Sequence, residues 1–210
     1  YDRDRKPTID WLNEKFKNKP EISKSNIAAL NSGHAFGETM EVSGETTAYA
    51  VSEAEIETGL YRTVTGIEAV SWGLAVGAQK TGLKMMFAGY PITPASAVLH
   101  TLSRLKKFNI ITFQAEDEIA AVCAAIGGSY AGALGVTASS GPGIALKTEA
   151  IGLAISVELP LIVLNVQRAG PSTGMPTKTE QSDLYQAVFG RNADSPLAVL
   201  AARSPGDCFY

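Results

Sequence analysis

From residue 65 onward, short apolar segments alternate with longer segments that carry the periodicity of amphipathic helices. The pattern predicts strands over 84–88, 109–114, 134–138, 159–166 and 197–201. It predicts helices over 66–82, 94–107, 116–131, 143–157 and 181–188. This alternation is typical of a parallel sheet that is covered by helices on both faces. The sequence therefore predicts an α/β fold with a doubly wound, mostly parallel sheet.

The part of the chain before this pattern has a different composition. Residues 1–36 are polar and predict short helices, the second of which is expected to end at Gly33 and His34. Residues 37–58 are rich in Gly, Ser, Thr and Glu, as linkers are. The main domain is expected over 59–210. The chain begins with Tyr, and a helix-start pattern close to its last residue has no helix after it. We expect a fragment that is truncated at the C-terminus of this domain.

Charge and cysteine content exclude several classes of protein. A net charge of −3, from 18 basic and 21 acidic residues, gives no basic surface for nucleic acid. We find neither a signal peptide nor an apolar run long enough for a membrane span, so we expect a cytoplasmic protein. Cys123 and Cys208 form no metal or cluster motif. Cys123 lies in an apolar helical pattern and is predicted to be buried.

Three residues whose side chains could take part in catalysis or binding follow predicted strands. Thr93 lies in the turn Gly-Tyr-Pro-Ile-Thr-Pro and suits a helix N-cap. Glu116 stands where a strand gives way to a helix, and Arg168 precedes a loop rich in Gly, Pro, Ser and Thr. Because parallel strands end at one edge of the sheet, we expect these residues to gather where open α/β sheets bind ligands. Each residue also has an ordinary structural explanation. Thr93 could be a helix cap, Glu116 an acidic residue in the first turn of a helix, and Arg168 a surface arginine.

A glycine-rich turn, Ser139 to Gly143, lies between a strand and a helix. It departs from the dinucleotide-binding fingerprint, because Leu146 stands where a small residue belongs. The turn instead indicates a close backbone approach, either of helix to sheet or of chain to cofactor. Lys147 and Glu149 in the next helix are predicted to be solvated or interface residues.

Three segments taken together resemble a known family. They are Tyr-Pro-Ile-Thr-Pro at 90–94, Gln-Ala-Glu-Asp-Glu at 114–118 and Gln-Arg-Ala-Gly-Pro-Ser-Thr-Gly at 167–174. In this order they resemble the α subunit of 2-oxoacid:ferredoxin oxidoreductases of the 2-oxoglutarate type, over about residue 68 to the C-terminus. The resemblance implies the thiamine diphosphate-binding fold, with this chain as its pyrimidine domain. Residues 1–36 would then be the tail of an upstream γ-type domain, or else an ordinary helical extension.

The resemblance also implies roles for the matching residues. Glu116 would contact a ring nitrogen of the thiamine aminopyrimidine and share a proton with it. Arg168 and Thr93 would orient the carboxylate and keto oxygen of a 2-oxoacid. The residues that would line the cofactor or the substrate are Tyr90, Pro91, Ile92, Thr173 and Thr177.

The implied activity is thiamine diphosphate-dependent oxidative decarboxylation of a 2-oxoacid, with 2-oxoglutarate favoured, to acyl-CoA and carbon dioxide. Coenzyme A is the acyl acceptor and ferredoxin takes the electrons. The chain has no Gly-Asp-Gly diphosphate motif and no cluster cysteines. The resemblance therefore implies a β subunit that carries Mg²⁺ and a 4Fe–4S cluster, in an (αβ)2 hetero-oligomer. Another thiamine diphosphate-dependent decarboxylase and a non-catalytic scaffold module remain as alternatives.

Overall fold

A computed structural model describes residues 4–40, 52 and 54–210. The chain divides into two compact units, residues 1–60 and 61–210. Most of the predicted linker lies outside the described residues, since 41–51 and 53 are not among them. Within the described ranges, no helix is both long and apolar enough to cross a membrane.

The first unit contains two helices, α1 (Lys6–Lys15) and α2 (Pro20–Thr39). A proline stands in the first turn of each helix, where the missing N–H would have had no helical partner. Leu12 of α1 is buried, and Ser23 Oγ of α2 donates to Asn13 Oδ1 of α1 at 2.8 Å. The short helical N-terminal segment expected from the sequence is therefore present.

The second helix is longer than predicted. The sequence predicts its end at Gly33 and His34, but α2 continues to Thr39. A glycine within a helix costs only about 1 kcal/mol relative to alanine, and His34 Nδ1 lies 3.3 Å from Glu38 Oε2 one turn later. The first three residues of the predicted linker, 37–39, are therefore helical.

The second unit has the predicted α/β architecture. Its strands are β1 (Met85–Gly89), β2 (Ile110–Gln114), β3 (Leu134–Ser139) and β4 (Leu161–Asn165). Its α-helices are α3 (Gly66–Thr81), α4 (Ser96–Arg104), α5 (Glu118–Tyr130), α6 (Gly141–Ser156) and α7 (Leu184–Phe189). Short 3₁₀ turns span Lys106–Phe108 and Asp207–Phe209. The strands form one parallel sheet in the order β2-β1-β3-β4, which confirms the doubly wound α/β fold.

The first helix of this unit begins and ends at residues that favour those positions. Thr65 Oγ1 accepts a hydrogen bond from Glu68 N at 3.2 Å, and Glu68 Oε2 accepts one from Thr65 N at 3.1 Å. This reciprocal capping box satisfies two N–H groups at the start of α3, and the hydrogen bonds from Thr65 hold the pKa of Glu68 below its usual range. Gly82 ends the helix in the left-handed conformation, at φ +70°.

The sheet has a hydrophobic core on each face. Helices α3 and α4 cover one face, and α5 and α6 cover the other. Buried core residues of the first face include Met85, Phe87, Val98, Leu102 and Val136. Those of the second are Val122, Ile126, Ala150, Ile151 and Ala154. The helices thus cover the two faces of the sheet, and loops follow the ends of its strands.

The segment after α7 differs from the sequence prediction. Residues 197–201 form no strand, and Leu200 is 94 % exposed. An apolar run becomes a strand only when another strand pairs with it, and no described strand does so here. The chain instead returns to α3, where Gly73 leaves no room for a side chain because an added Cβ would lie 2.9 Å from the Phe209 carbonyl carbon.

Candidate functional site

The carboxyl ends of the four parallel strands lie at one edge of the sheet, hereafter the carboxyl edge. There β1 leads into the Tyr90–Thr93 loop, β2 into Glu116, β3 into Ser140 and β4 into Arg168. The strand order reverses between β1 and β3, since β2 lies on one side of β1 and β3 on the other. Ligands bind open α/β sheets at such a reversal, and the carboxyl edge is therefore the candidate site.

Arg168 connects two loops at this edge. Its Nη1 donates to the backbone carbonyl of Thr93 at 2.8 Å, and its Nη2 donates to that of Thr173 at 2.8 Å. The side chain is buried, with only 8 % exposed, and its Nε has no hydrogen-bond partner among the described residues. Three residues predicted from the sequence to bind substrate are thus in direct contact, although 75 residues separate Thr93 from Arg168.

Ser140 links the same loops from the end of β3. Its Oγ donates to the backbone carbonyl of Val166 at 2.7 Å and lies 3.4 Å from that of Thr93. Further along, Gln167 Oε1 accepts a hydrogen bond from Asp183 N at 3.0 Å. These bonds fix the loops after β1, β3 and β4 relative to one another.

The structure corrects the predicted role of Thr93 as a helix N-cap. Helix α4 begins at Ser96, whose N–H donates to the Ile92 carbonyl at 2.9 Å. The Thr93–Pro94 peptide bond is cis. The Thr93 side chain is exposed and makes no hydrogen bond with the described residues, whereas its carbonyl accepts from Arg168. The Thr93 hydroxyl is therefore available to a ligand.

Glu116 lies two residues before α5 and not inside it as predicted. Asp117 is the N-cap, and its Oδ1 accepts a hydrogen bond from Ala120 N at 2.7 Å. Before Glu116, Ala115 N donates to the Gly89 carbonyl at 2.9 Å. Glu116 itself is exposed, and in the described part of the chain its carboxylate has no hydrogen bond or ion pair. Because Asp117 caps α5, the Glu116 carboxylate takes no part in capping the helix.

The remaining predicted contacts differ in their surroundings. Ile92 is half-buried against the core, whereas Tyr90 and Pro91 are exposed at the carboxyl edge. Thr177 is also exposed, in a segment tied to Ala169 by two backbone hydrogen bonds, from Ala169 N to the Lys178 carbonyl and from Met175 N to the Ala169 carbonyl. No hydrogen bond connects Thr177 with Arg168.

Several buried polar atoms at the carboxyl edge lack partners within the described residues. They are Ser139 Oγ at the end of β3, Asn165 Oδ1 at the end of β4, and Arg168 Nε. Buried polar atoms in folded proteins are nearly always hydrogen-bonded. Gln186 Oε1 and Ser195 Oγ are further such atoms, in α7 and after it. Arg168 Nε lies among the predicted substrate-binding residues, where an acceptor from a ligand or from another chain would complete its hydrogen bonding.

Two side chains differ from the burial predicted for them. Cys123 is exposed, because α5 turns Val122 and Ile126 towards the core instead. Lys147, predicted to be solvated or at an interface, is fully buried in α6, and its Nζ donates to Thr137 Oγ1 at 2.6 Å. Burial lowers the pKa of Lys147 to about 8, although the charge of Glu118 opposes that shift.

The position of Lys147 could have been inferred from helical periodicity. It lies three residues after Ile144 and four before Ile151, and both of these apolar residues are buried on α6. Residues at this spacing share one face of a helix. Lysine is rarely fully buried, and its charge therefore predicts exposure against this spacing.

Metal ligands are not grouped at this edge. In residues 4–40, 52 and 54–210, no cluster of three or more His, Cys, Asp or Glu side chains is arranged to hold a metal ion.

The fold and the carboxyl edge define a ligand-binding domain of the open α/β class, and comparison with known proteins identifies its family. The family described as pyruvate flavodoxin/ferredoxin oxidoreductase, thiamine diphosphate-binding, matches residues 76–210. The chain belongs to this family.

Its relatives are subunits of larger enzymes. Over 209 residues the chain is 54 % identical to the 2-oxoglutarate oxidoreductase subunit KorA of Mycobacterium tuberculosis, covering 100 % of this chain and 32 % of that protein. Over 125 residues it is 50 % identical to the 2-oxoglutarate synthase subunit KorA of Archaeoglobus fulgidus, covering 59 % of this chain and 36 % of that protein. The chain thus spans about a third of the length of these relatives.

A solved structure shares the fold. It is the 2-oxoglutarate:ferredoxin oxidoreductase from Magnetococcus marinus with 2-oxoglutarate, coenzyme A and succinyl-CoA bound. The TM-score is 0.74 at 36 % sequence identity, and the similarity covers 100 % of this chain and 35 % of that one.

Proposed function

We propose that this chain is the pyrimidine-side part of the α subunit of a 2-oxoglutarate:ferredoxin oxidoreductase. The reaction converts 2-oxoglutarate and coenzyme A to succinyl-CoA and carbon dioxide, and a pair of electrons passes to ferredoxin. The observation that carries the proposal is the contact of Arg168 with the Thr93 and Thr173 carbonyls at the carboxyl edge. The names of the relatives support the choice of substrate.

The residues at this edge fit the pyrimidine half of thiamine diphosphate. Glu116 offers an exposed carboxylate without a partner in the described chain, and the buried Arg168 Nε is a donor without an acceptor. Thiamine diphosphate supplies, when bound, the carbon nucleophile that attacks a 2-oxo group. Glu116 would contribute an Oε atom that holds the proton shared with the aminopyrimidine ring nitrogen.

Arg168 and Thr93 would hold the substrate. A guanidinium has five N–H donors, and two of those of Arg168 are engaged with carbonyl oxygens. The others can bind the 1-carboxylate of a 2-oxoacid, and the Thr93 hydroxyl can donate to that carboxylate or to the keto oxygen. Thr173 and Thr177 would line the pocket on the side of the following loop.

The proposed assembly requires a second subunit. A β subunit would carry the diphosphate half of the cofactor site, Mg²⁺ and a 4Fe–4S cluster, in an (αβ)2 oligomer that works in the cytoplasm. Residues 1–36 would be the tail of a γ-type domain, and 59–210 would be the pyrimidine domain. Support comes from the names of the relatives, which describe subunits.

The test is the Glu116→Gln substitution in the full-length parent chain, assembled with its β subunit. We expect assembly to persist and 2-oxoglutarate-dependent viologen reduction to fall by about 10²- to 10⁴-fold, as when a general acid–base group is removed. Glu158→Gln is the matched control, because Glu158 precedes β4 and lies at the opposite edge of the sheet. Near-normal turnover of Glu116→Gln would overturn the role of this residue. Decarboxylation without viologen reduction would indicate another kind of thiamine enzyme.

A further inference from the structure

A buried polar cluster lies directly behind the carboxyl edge. It comprises Lys147 of α6, Thr137 and Ser139 of β3, and Glu118 in the first turn of α5. Lys147, Thr137 and Ser139 are completely inaccessible to solvent, and Glu118 is half-buried. Lys147 Nζ donates to Thr137 Oγ1 at 2.6 Å, while Ser139 Oγ has no partner in the described chain. None of these side chains has a part in the mechanism proposed above.

The three elements of the cluster meet at Gly143, one helical turn before Lys147. A Cβ at Gly143 would overlap Ser139 Oγ and would lie 2.9 Å from Glu118 Cγ. The glycine therefore allows Ser139 of β3 and Glu118 of α5 to pack against α6 one turn before the lysine.

The charge of Lys147 must be balanced inside this cluster. A buried ammonium without a counter-charge is strongly unfavourable. Glu118 is the acidic side chain that packs against α6 at Gly143, one turn before Lys147, and its charge favours the protonated lysine, although no ion pair joins the two in the described chain. Glu118 lies two residues after Glu116. Between them Asp117 caps α5, and before them Ala115 is hydrogen-bonded to β1. The backbone at Glu116 is therefore held on one side by β1 and on the other by the first turn of α5.

We propose that Lys147 is a positioning residue for Glu116. Its buried ammonium attracts Glu118, which fixes the first turn of α5 and with it the backbone that presents the Glu116 carboxylate at the carboxyl edge. This inference rests on the proposed role of Glu116.

The geometry predicts a dependence on pH. The pKa of Lys147 is about 8 because of its burial. The groups that face it are Glu118 from α5 and the hydroxyls of Thr137 and Ser139 from β3. Above about pH 8 Lys147 becomes neutral, and Glu118 loses the charge that holds it.

The experiment compares Lys147→Met, Glu118→Gln and their double variant in the assembled full-length complex. Met retains most of the volume of Lys without its charge, and Glu118→Gln leaves the buried lysine in place. Lys107→Met, an exposed lysine near the amino end of β2, is the control. Measurements are kcat per bound thiamine diphosphate and KM for 2-oxoglutarate across pH, with hydrogen exchange of the first turn of α5.

We expect kcat to fall by about 10- to 100-fold in Lys147→Met and Glu118→Gln, in line with the cost of a small misplacement, with KM nearly unchanged. The double variant should lose no more than one single variant, and the decline of kcat near pH 8 should disappear in Lys147→Met. First-turn exchange should be faster in both single variants. If Lys147 had a purely structural role, its replacement would lower the yield of complex but would not lower kcat while leaving KM nearly unchanged.

An unchanged kcat per bound cofactor in Lys147→Met, or additive losses in the double variant, would overturn the proposal. A wild-type complex that binds no thiamine diphosphate would instead overturn the proposed function. In that case hydrogen exchange still tests the positioning role of Lys147. Unchanged exchange in the first turn of α5 in Lys147→Met would refute that role.

Discussion

Arg168 is held by backbone carbonyls and not by a carboxylate. Its hydrogen bonds go to the Thr93 and Thr173 carbonyls, and it has no ion pair within the described chain. Carbonyl oxygens orient a guanidinium but do not neutralise it. The buried positive charge therefore remains available to attract an anionic ligand, and both threonine side chains are left for that ligand to contact.

Replacing Arg168 by Lys should weaken the binding of the substrate. A lysine retains the charge but cannot reach both carbonyls, and each lost hydrogen bond to a charged group is worth about 1.5–3 kcal/mol. We expect KM for 2-oxoglutarate to rise by about 10- to 100-fold in steady-state assays of the complex.

Arg191→Lys provides the matched control. Arg191 also donates to backbone carbonyls, those of Ala187, Val188 and Ser195, but it lies beyond α7. Both variants should lose stability in urea denaturation, and only Arg168→Lys should raise KM. A similar rise of KM in Arg191→Lys would mean that the effect is one of general stability.

At the residue scale, the sequence predicted which residues lie at the carboxyl edge better than it predicted what holds them there. Thr93, Glu116 and Arg168 could be placed because each follows an apolar strand, and parallel strands share an edge. The partners of Arg168 are backbone carbonyls, which every residue has, so no side-chain pattern reveals them. The burial of Lys147 could not be predicted from its residue type, because lysine is rarely fully buried.

The packing of α5 on the sheet depends on a missing side chain in β3. A Cβ at Gly135 would overlap the Ala125 carbonyl oxygen and would lie 2.7 Å from Ser129 Oγ. Gly135→Ala should therefore destabilise the domain by about 1–3 kcal/mol, as overpacking does.

Gly127→Ala tests the same helix without the steric conflict. No atom lies within 4 Å of a Cβ at Gly127, which is exposed. Alanine should raise stability by about 0.5–1 kcal/mol there, because glycine is a poor helix former. Urea denaturation measures both variants, and effects of the same sign would contradict this account of the packing.

The buried lysine of α6 should also affect stability as a function of pH. Its pKa falls from 10.5 in the unfolded chain to about 8 in the folded one, so the unfolded chain binds more protons between these values. Wild-type stability relative to Lys147→Met should be lowest below the folded pKa and rise as the pH increases towards 10.5. Urea denaturation at several pH values measures the difference, and a constant difference would refute the shift.

At the element scale, interior elements were predicted well and terminal ones poorly. β1 and β3 are largely buried between neighbouring strands and β4 is half-buried, so their apolar runs record burial. β2 is an edge strand with Ile111 and Phe113 exposed, and its apolar run forms a strand by pairing with β1. The run at 197–201 has a similar composition, but no strand pairs with it. The end of α2 was misplaced because Gly33 costs a helix only about 1 kcal/mol relative to alanine, which does not end it here.

On the scale of the whole molecule, the proposed division of labour with a β subunit predicts how metal removal acts. EDTA should leave the melting temperature of this chain unchanged, because its described residues form no metal-binding cluster. In the assembled complex EDTA should abolish turnover, and Mg²⁺ with thiamine diphosphate should restore it. Thermal melts and viologen assays measure the two effects. A lower melting temperature of the chain alone in EDTA would place a metal site within it.

The contact between Arg168 and Thr93 also has a consequence for synthesis on the ribosome. The two residues are 75 positions apart, and a ribosome adds about 5–20 residues per second. The loop after β1 therefore leaves the ribosome several seconds before the arginine that secures it. During that interval the nascent chain can form helices, but Arg168 cannot yet bind the loop after β1. The carboxyl edge is therefore one of the last parts of the domain to take its final structure.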